Sequence, residues 1–249
     1  MEVSHIVTIG CSLTFCQGLP FEKSWPYLIA KQLNTNIVNL ALPGLGNDGI
    51  HRKAFEYFYK NKPHNNLPLF IIGLSAYWRR EIWYKNHFDF VNFNDYAPVA
   101  MPDDKHKEPY HETMLENWDE FDFLRRTNII KLSLINLFDA HKIPYIITDM
   151  FPKDTDIHYE KKYKELLEAI SVPNYIEPAC LKIKHMTPLP CGHYSEDQCV
   201  VLKDFFIDVI KNLYPNLTFG KNKPYFTTED YARNDKYHQK FLKIPLDAV

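Results

Sequence analysis

Ile6-Val7-Thr8-Ile9-Gly10-Cys11-Ser12-Leu13-Thr14 is the stretch that decides how this chain is read. Its first four residues are apolar or β-branched, the pattern of a buried strand. Gly10 ends the run, and a Gly-x-Ser-x-Thr turn follows at once. Open α/β sheets bind ligands outside the carboxyl ends of their strands. Ser12 therefore has the position of a nucleophile. Backbone N–H groups in its turn can face a developing oxyanion.

Outward from this block, short apolar runs alternate with helical patterns, which predicts an α/β fold with a parallel sheet. The first strand covers about 5–10. A helix follows from Ser24, an N-cap with Pro26 in the first turn and Trp25, Leu28, Ile29 and Leu33 at helical spacing. A second strand is expected at 36–41. Pro43-Gly44-Leu45-Gly46-Asn47-Asp48 then reads as a turn capping the next helix through Asn47 or Asp48, with Ile50, Ala54, Tyr57 and Phe58 on its apolar face. The third strand is expected at 68–74 and the fourth at 143–149. Between them lies a long helix at 121–141 with Thr127, Ile130, Leu134, Leu137 and Phe138 on one face. A helical stretch at 158–170 leads to a short strand near 174–177. Ser195 and Gln198 form an S-x-x-Q capping box for a last helix, whose buried stripe is Leu202, Phe205, Phe206, Val209 and Leu213.

Two segments break this rhythm. Residues 85–118 are rich in Asn, Asp, His, Pro and aromatics and have little periodicity. A loop of that length is expected to be a lid, a substrate wall or a surface insertion. Residues 214–249 read as a C-terminal extension packed on the body or on another subunit, with six Lys or Arg against four Asp or Glu from Gly220 onward. The domain expected is therefore 1–213, with the insertion inside it.

Composition narrows the function classes. At 249 residues, 45% hydrophobic and 24% charged, the chain has ample material for a core. A formal net charge of -2 gives no field that favours nucleic acid or an anionic membrane as partner. No run of about 18 apolar residues predicts a transmembrane helix. The N-terminus has no basic region followed by an apolar one, so a cytoplasmic location is expected. The five cysteines, an odd number, fit reduced thiols. Cys180, His185, Cys191, His193 and Cys199 have the spacing C-x4-H-x5-C-x-H-x5-C, which matches no standard zinc ribbon or finger. No metal or other cofactor is expected, with a zinc-stabilised protein using this cysteine and histidine cluster as a rival reading.

Three pieces carry chemistry. Ser12 follows the first strand, Gly44 and Asn47 follow the second, and His193 sits two residues before a helix N-cap. A parallel sheet brings all of them to one edge. Acyl transfer needs a nucleophile, a base and oxyanion donors. Ser12 fits the first role and His193 the second. The N–H groups of Ser12 and Gly44, with the side-chain amide of Asn47, fit the third. A helix N-terminus facing His193 disfavours imidazolium and keeps the ring ready as a base. Each residue alone has a plainer use, as turn, cap or surface residue.

With these pieces placed, the chain resembles the SGNH (GDSL-like) hydrolase superfamily. Gly10-Cys11-Ser12-Leu13-Thr14 is similar to its Gly-Asp-Ser-x-Thr block. Asn39-Leu40-Ala41-Leu42-Pro43-Gly44 is similar to its second block. Pro190-Cys191-Gly192-His193-Tyr194-Ser195 follows the outline of its Asp-Gly-His-Pro-Ser block. The resemblance spans roughly residues 5–213. It implies a flavodoxin-like three-layer α/β/α sandwich and a serine esterase or carbohydrate deacetylase acting without a metal on a small-molecule or glycan ester. The Gly-Cys-Ser-x-Thr form also resembles bacteriophage-encoded members, for which a virion or host-cytoplasm location is the expectation.

The departures from the family pattern are specific. Cys11 stands where the family has an aspartate. Gly73-Leu74-Ser75-Ala76 stands where it has Gly-x-Asn-Asp, so Asn47 or Ser75 is left to replace that donor. No acid precedes His193 at the family spacing, which leaves a Ser-His dyad or an orienting acid from elsewhere, Asp149 or Glu177. Loss of the orienting acid costs a serine protease about 10⁴ in turnover. A non-catalytic binding or structural protein on the same fold is therefore the rival reading. Arg79 and Trp78 are candidate substrate contacts. An arginine there can hold a carboxylate or phosphate, and Tyr77, Trp78, Trp83 and Tyr84 can stack on a sugar ring. The plainer reading of Arg79 and Arg80 is a solvated helix start paired with Glu81.

Overall fold

The structure is a computed structural model, and it describes residues 1–61, 67–84, 87–92, 120–151, 174–176, 178–189 and 192–220. Four parallel strands form the central sheet: β2 (His5–Gly10), β3 (Asn36–Asn39), β4 (Pro68–Leu74) and β7 (Tyr145–Asp149), in the order β3-β2-β4-β7. Tyr175 adds a parallel bridge to Ile147 beyond β7. The rudimentary fifth position completes a flavodoxin-like order. The strand expected at 174–177 is reduced to this bridge.

Side chains alternate across the sheet and fill two cores. Ile6, Ile37, Leu69, Ile71 and Ile146 face one layer, made by α2 (Trp25–Leu33) and α5 (Glu196–Leu213). Val7, Ile9, Phe70, Ile72, Tyr145 and Ile147 face the other, made by α3 (Asn47–Asn61) and α4 (Glu120–Ala140). On the first side, Trp25 stacks on Phe206 with ring centroids 4.6 Å apart. No described helix is long and apolar enough to cross a membrane.

Local signals set the helix ends. Ser24 caps α2 by accepting from Tyr27 N, and the Ser195–Gln198 capping box opens α5. β3 stops at Asn39, short of the expected residue 41. The reason is local, since Asn39 Oδ1 accepts from Ala41 N at 3.0 Å and turns the chain. α3 begins at Asn47 itself, so neither Asn47 nor Asp48 stands ahead of it as a cap.

The larger difference is at Arg79. Arg79 and Arg80 do not start a helix. They start β5 (Arg79–Tyr84), which pairs antiparallel with β6 (His87–Asn92). Glu81 does not pair with them either. Its carboxylate is taken by Arg52 of α3 at 2.6 and 2.8 Å. The hairpin thus reaches into the segment expected to be irregular, of which residues 93–118 lie outside the described set, as does the helical stretch expected at 158–170. In the C-terminal extension, β8 (Thr218–Phe219) pairs in parallel with β1 (Glu2–Val3). Residues 221–249 lie outside the described set.

Candidate active site

Ser12 opens a single helical turn, α1 (Ser12–Phe15), directly after β2. Cys11 is extended at φ -92°, and its carbonyl accepts from Thr14 N and Phe15 N. The turn closes at Cys16, left-handed at φ 58°. Thr14 explains the two glycines beside it. Gly10 and Gly73 are register partners on β2 and β4, and Thr14 fills the space above both. A Cβ at Gly10 would lie 2.1 Å from Thr14 Oγ1, and one at Gly73 would lie 2.4 Å from it. The close approach of Thr14 needs both positions bare. This fixes Ser12 over the carboxyl end of the central strand. Ser12 is 4% exposed.

Gly44 sits in the turn after β3. Leu45 N donates to Leu42 O at 3.2 Å, Pro43 takes the second turn position, and Gly44 has φ 81°. These are the marks of a type II turn. Leu42 N donates to Gly10 O, which ties this turn to the end of β2. Among the described residues, the N–H groups of Ser12 and Gly44 have no protein acceptor.

His193 lies in a tight turn before α5. Gly192 N donates to Leu189 O, and Leu189 N donates to His193 O, both at 2.8 Å. The next residue, Tyr194, is buried and donates to Met150 O. Burial pushes its phenol well above the ordinary range, and its neighbours Cys180, Cys11, Cys16 and Cys199 add to the shift. Tyr194 and Cys11 belong to one buried cluster, and His193 and Ser12 are their chain neighbours. Among the described residues, no hydrogen bond joins Ser12 Oγ to the His193 ring. Catalytic hydrogen bonds are often long in an unliganded enzyme and tighten with substrate.

Asn47 is committed elsewhere. Its Oδ1 accepts from Ser75 N at 2.8 Å, and its Nδ2 donates to Ser75 O at 3.1 Å and Thr127 Oγ1 at 3.3 Å. Both amide hydrogens are used in clamping α3 to the end of β4 and to α4. The expected donation from this amide to an oxyanion competes with these bonds. Ser75 itself is held by the clamp, and its Oγ receives Arg79 Nη1 at 3.3 Å.

Asp149 also has other partners. Continuing the alternation of Tyr145 and Ile147, it faces the α3/α4 layer, whereas His193 leads into α5 on the opposite layer. Its carboxylate meets Lys131 Nζ of α4 at 3.4 Å and accepts from Tyr175 Oη. Lys131 donates to Tyr175 Oη at 3.0 Å. Asp149 thus belongs to a buried Lys131–Asp149–Tyr175 cluster, whose bonds compete with its expected role as the orienting acid. Sequence reading missed this cluster. Its signal was Lys131 falling on the apolar stripe of α4, at helical spacing between Thr127 and Leu134. Glu177 lies outside the described residues.

Cys16 Sγ contacts Cys199 Sγ of α5 at 3.6 Å. Cys180 and Cys199 are core residues, and among the described residues no group of three or more His, Cys, Asp or Glu side chains is placed to hold one metal ion. Cys191 lies outside the described set. Trp78 packs edge-to-face on Tyr77 in the turn that leads into β5.

No family model and no curated protein matches the chain. Solved structures do. The psychrotrophic esterase EstA from Pseudoalteromonas sp., in a structure inhibited by monoethylphosphonate, aligns with TM-score 0.54 at 15% identity, over 86% of this chain and 100% of that one. TesA aligns with TM-score 0.51 at 12% identity, over 84% and 99%. A carbohydrate esterase family 2 enzyme with a carbohydrate-binding domain, from Corynascus thermopiles (Myceliophthora fergusii), aligns with TM-score 0.50 at 12% identity, over 84% and 65%. The chain shares the α/β fold of these solved structures.

Proposed function

We propose that this chain is a serine esterase, with Ser12 as nucleophile and His193 as general base. The observation that carries this reading is Ser12 at the head of α1, held over the central strand by Thr14 against Gly10 and Gly73. Ser12 Oγ attacks the ester carbonyl carbon and gives its proton to the His193 ring. The carbonyl oxygen becomes an oxyanion, received by the N–H groups of Ser12 and Gly44. The C–O bond to the alcohol then breaks, and His193 returns the proton to the departing oxygen. Water attacks the acyl-serine by the same proton path, releasing the acid and restoring Ser12. Asn47 acts at one remove, by holding Ser75 and the end of β4 in place.

The substrate class follows the fold neighbours, two of which are described as esterases, one of them a carbohydrate esterase. The substrate is a small-molecule or glycan ester. Oligomerisation through the C-terminal extension, a cytoplasmic location and a phage source remain part of the same proposal. A second reading has its own observation: the Asn47 amide is spent and Ser75 stands where the family has asparagine, which favours a binding protein on this fold.

Intact-mass spectrometry after incubation with a fluorophosphonate separates the two. One adduct on the wild-type chain, absent from Ser12→Ala, is the expected result. A folded wild-type chain that takes no adduct would overturn the esterase reading and favour the binding one.

A further inference from the structure

Around the hairpin, arginines and carboxylates are nearly all matched. Arg52 is held by Glu81 and Glu56. Arg80, Arg125 and Arg126 all reach Asp122. Hydrogen bonds from Arg126 and Arg125 and the charge of Arg80 outweigh burial and hold that carboxyl below its ordinary range. Arg79 is the exception. Among the described residues its guanidinium has no carboxylate partner. It makes one hydrogen bond, Nη1 to Ser75 Oγ at 3.3 Å, and its Cζ stacks 4.7 Å over the Phe151 ring. Its Nε is buried with no hydrogen-bond partner. A buried donor left unmade costs free energy that a bound acceptor would recover.

The position of this group matters as much as its missing partner. Gly10 and Gly73 are in register on β2 and β4. Ser12 and Ser75 each lie two residues beyond that pair, past the carboxyl ends of β2 and β4, which are neighbours in the sheet. The guanidinium bonded to Ser75 is thus next to the edge that carries Ser12, and Phe151 follows β7 on the same edge. The arginine is also held from behind. Arg79 N donates to Ala76 O, and Gly46 lets the start of α3 approach so closely that a Cβ there would lie 2.6 Å from Arg79 O. Arg79 further lines a cleft with Tyr77, Arg80, Phe123 and Arg126. Asp48 lines the same cleft beside Arg80, and Asp122 is shared by Arg80, Arg125 and Arg126, so among the described residues neither carboxylate pairs with Arg79.

We infer that Arg79 binds a carboxylate on the substrate, so that the preferred esters are half-esters of dicarboxylic acids or other esters with one free carboxylate. This rests on the esterase reading above. The guanidinium fork suits a planar carboxylate, whose two oxygens it can meet side by side. Arg79 is a specificity residue in this account and takes no part in bond making.

Two measurements test it. The first is binding, which needs no turnover: succinamate, with one carboxylate, is titrated against neutral succinamide at low salt and followed by calorimetry. The wild-type chain is expected to bind succinamate at least about tenfold more tightly, the order of one charge-assisted hydrogen bond. Arg79→Gln should lose that margin and Arg79→Lys recover part of it. Arg125→Gln, which removes the same charge from the surface cluster, should keep it. Equal binding of the two ligands, or loss of the margin in Arg125→Gln, would overturn the assignment. Inorganic phosphate binding more tightly than succinamate would also overturn it as a carboxylate site. The second is kinetic. The ratio of kcat/KM for mono-p-nitrophenyl succinate over p-nitrophenyl acetate should fall about tenfold in Arg79→Gln. An unchanged ratio overturns the proposal, whereas a wild-type chain that binds succinamate but takes no fluorophosphonate adduct overturns only the esterase reading.

Discussion

Cys16 and Cys199 bring their sulfur atoms to 3.6 Å across the core, joining the end of the Ser12 turn to the helix that follows His193. Neither thiol reaches solvent, at 1% and 0% exposure. Burial, with the hydrogen bond to Cys199, pushes the Cys16 thiol well above its ordinary value. The thiolate is the reactive form. Native chain treated with iodoacetamide at pH 7.5 is therefore expected to stay unlabelled at Cys16, and to label there once urea is added, as read by peptide mass spectrometry.

The packing of Thr14 against Gly73 can be read as a coupling energy. A Cβ at Gly73 would lie 2.4 Å from Thr14 Oγ1 and 2.7 Å from Met150 Cγ. Gly73→Ala should cost about 1–3 kcal/mol through overpacking. Thr14→Ala removes the obstructing side chain, so the double variant should be more stable than the two single losses predict when added. Urea denaturation of the four proteins gives the cycle, and simple additivity would sink this account of the motif.

Lys131 and Asp149 have side chains only 4% and 10% exposed. Removing one member of a buried ion pair leaves an uncompensated charge and costs about 3–5 kcal/mol. Lys131→Met should show a loss of that size in urea denaturation. The double variant Lys131→Met/Asp149→Asn should recover a large part of it. A loss below about 1 kcal/mol for Lys131→Met would mean that the pair is solvated.

Two histidines make stability depend on pH. Burial lowers the pKa of His5, whose Nε2 lies 2.6 Å from Tyr57 Oη. Burial also lowers that of His51, against the opposing charge of Asp48, and its Nε2 lies 2.8 Å from Ser133 Oγ. A histidine with a depressed folded pKa takes up its proton more readily when unfolded. Its contribution is whole above the unfolded value of about 6.5 and is lost as pH falls through the folded value. Denaturation midpoints should therefore drop between pH 7.5 and 5.5, and His5→Asn/His51→Asn should drop less over the same interval. An equal drop would place the titration elsewhere.

What the sequence revealed was mostly local. The Ile6–Ile9 run, the Ser24 cap and the Ser195–Gln198 box each depend on residues within a few positions, and their elements stand in the structure where the pattern puts them. Long-range partners were not legible. Asn47 reads as a cap or a donor until Ser75 and Thr127, 28 and 80 residues away, claim its amide. Arg79 and Arg80 read as a helix start because Glu81 stands beside them. The strand partner lies at 87–92, and the carboxylate of Glu81 goes to Arg52, 29 residues earlier. Asp149 reads as an acid from its place at a strand end, and its partners Lys131 and Tyr175, 18 and 26 residues away, are not visible from there.

The lock on the Ser12 turn has a consequence for how the chain folds. Thr14 rests on Gly73, Gly73 touches Met150, and Cys16 touches Cys199. Each of these contacts closes a longer loop than the one before, and loop closure slows the formation of non-local contacts. β2 and β4 pair across a loop like that of Thr14 and Gly73, but the lock closes only when Met150 and Cys199 arrive over the longer ones. Pulse-labelled hydrogen exchange during refolding should therefore protect the amides of β2 and β4 before those of Phe15 and Gln17. On that order of events the chain acquires its scaffold first and its chemistry last, so a partly folded intermediate would hold every residue of the site and yet not be competent to react.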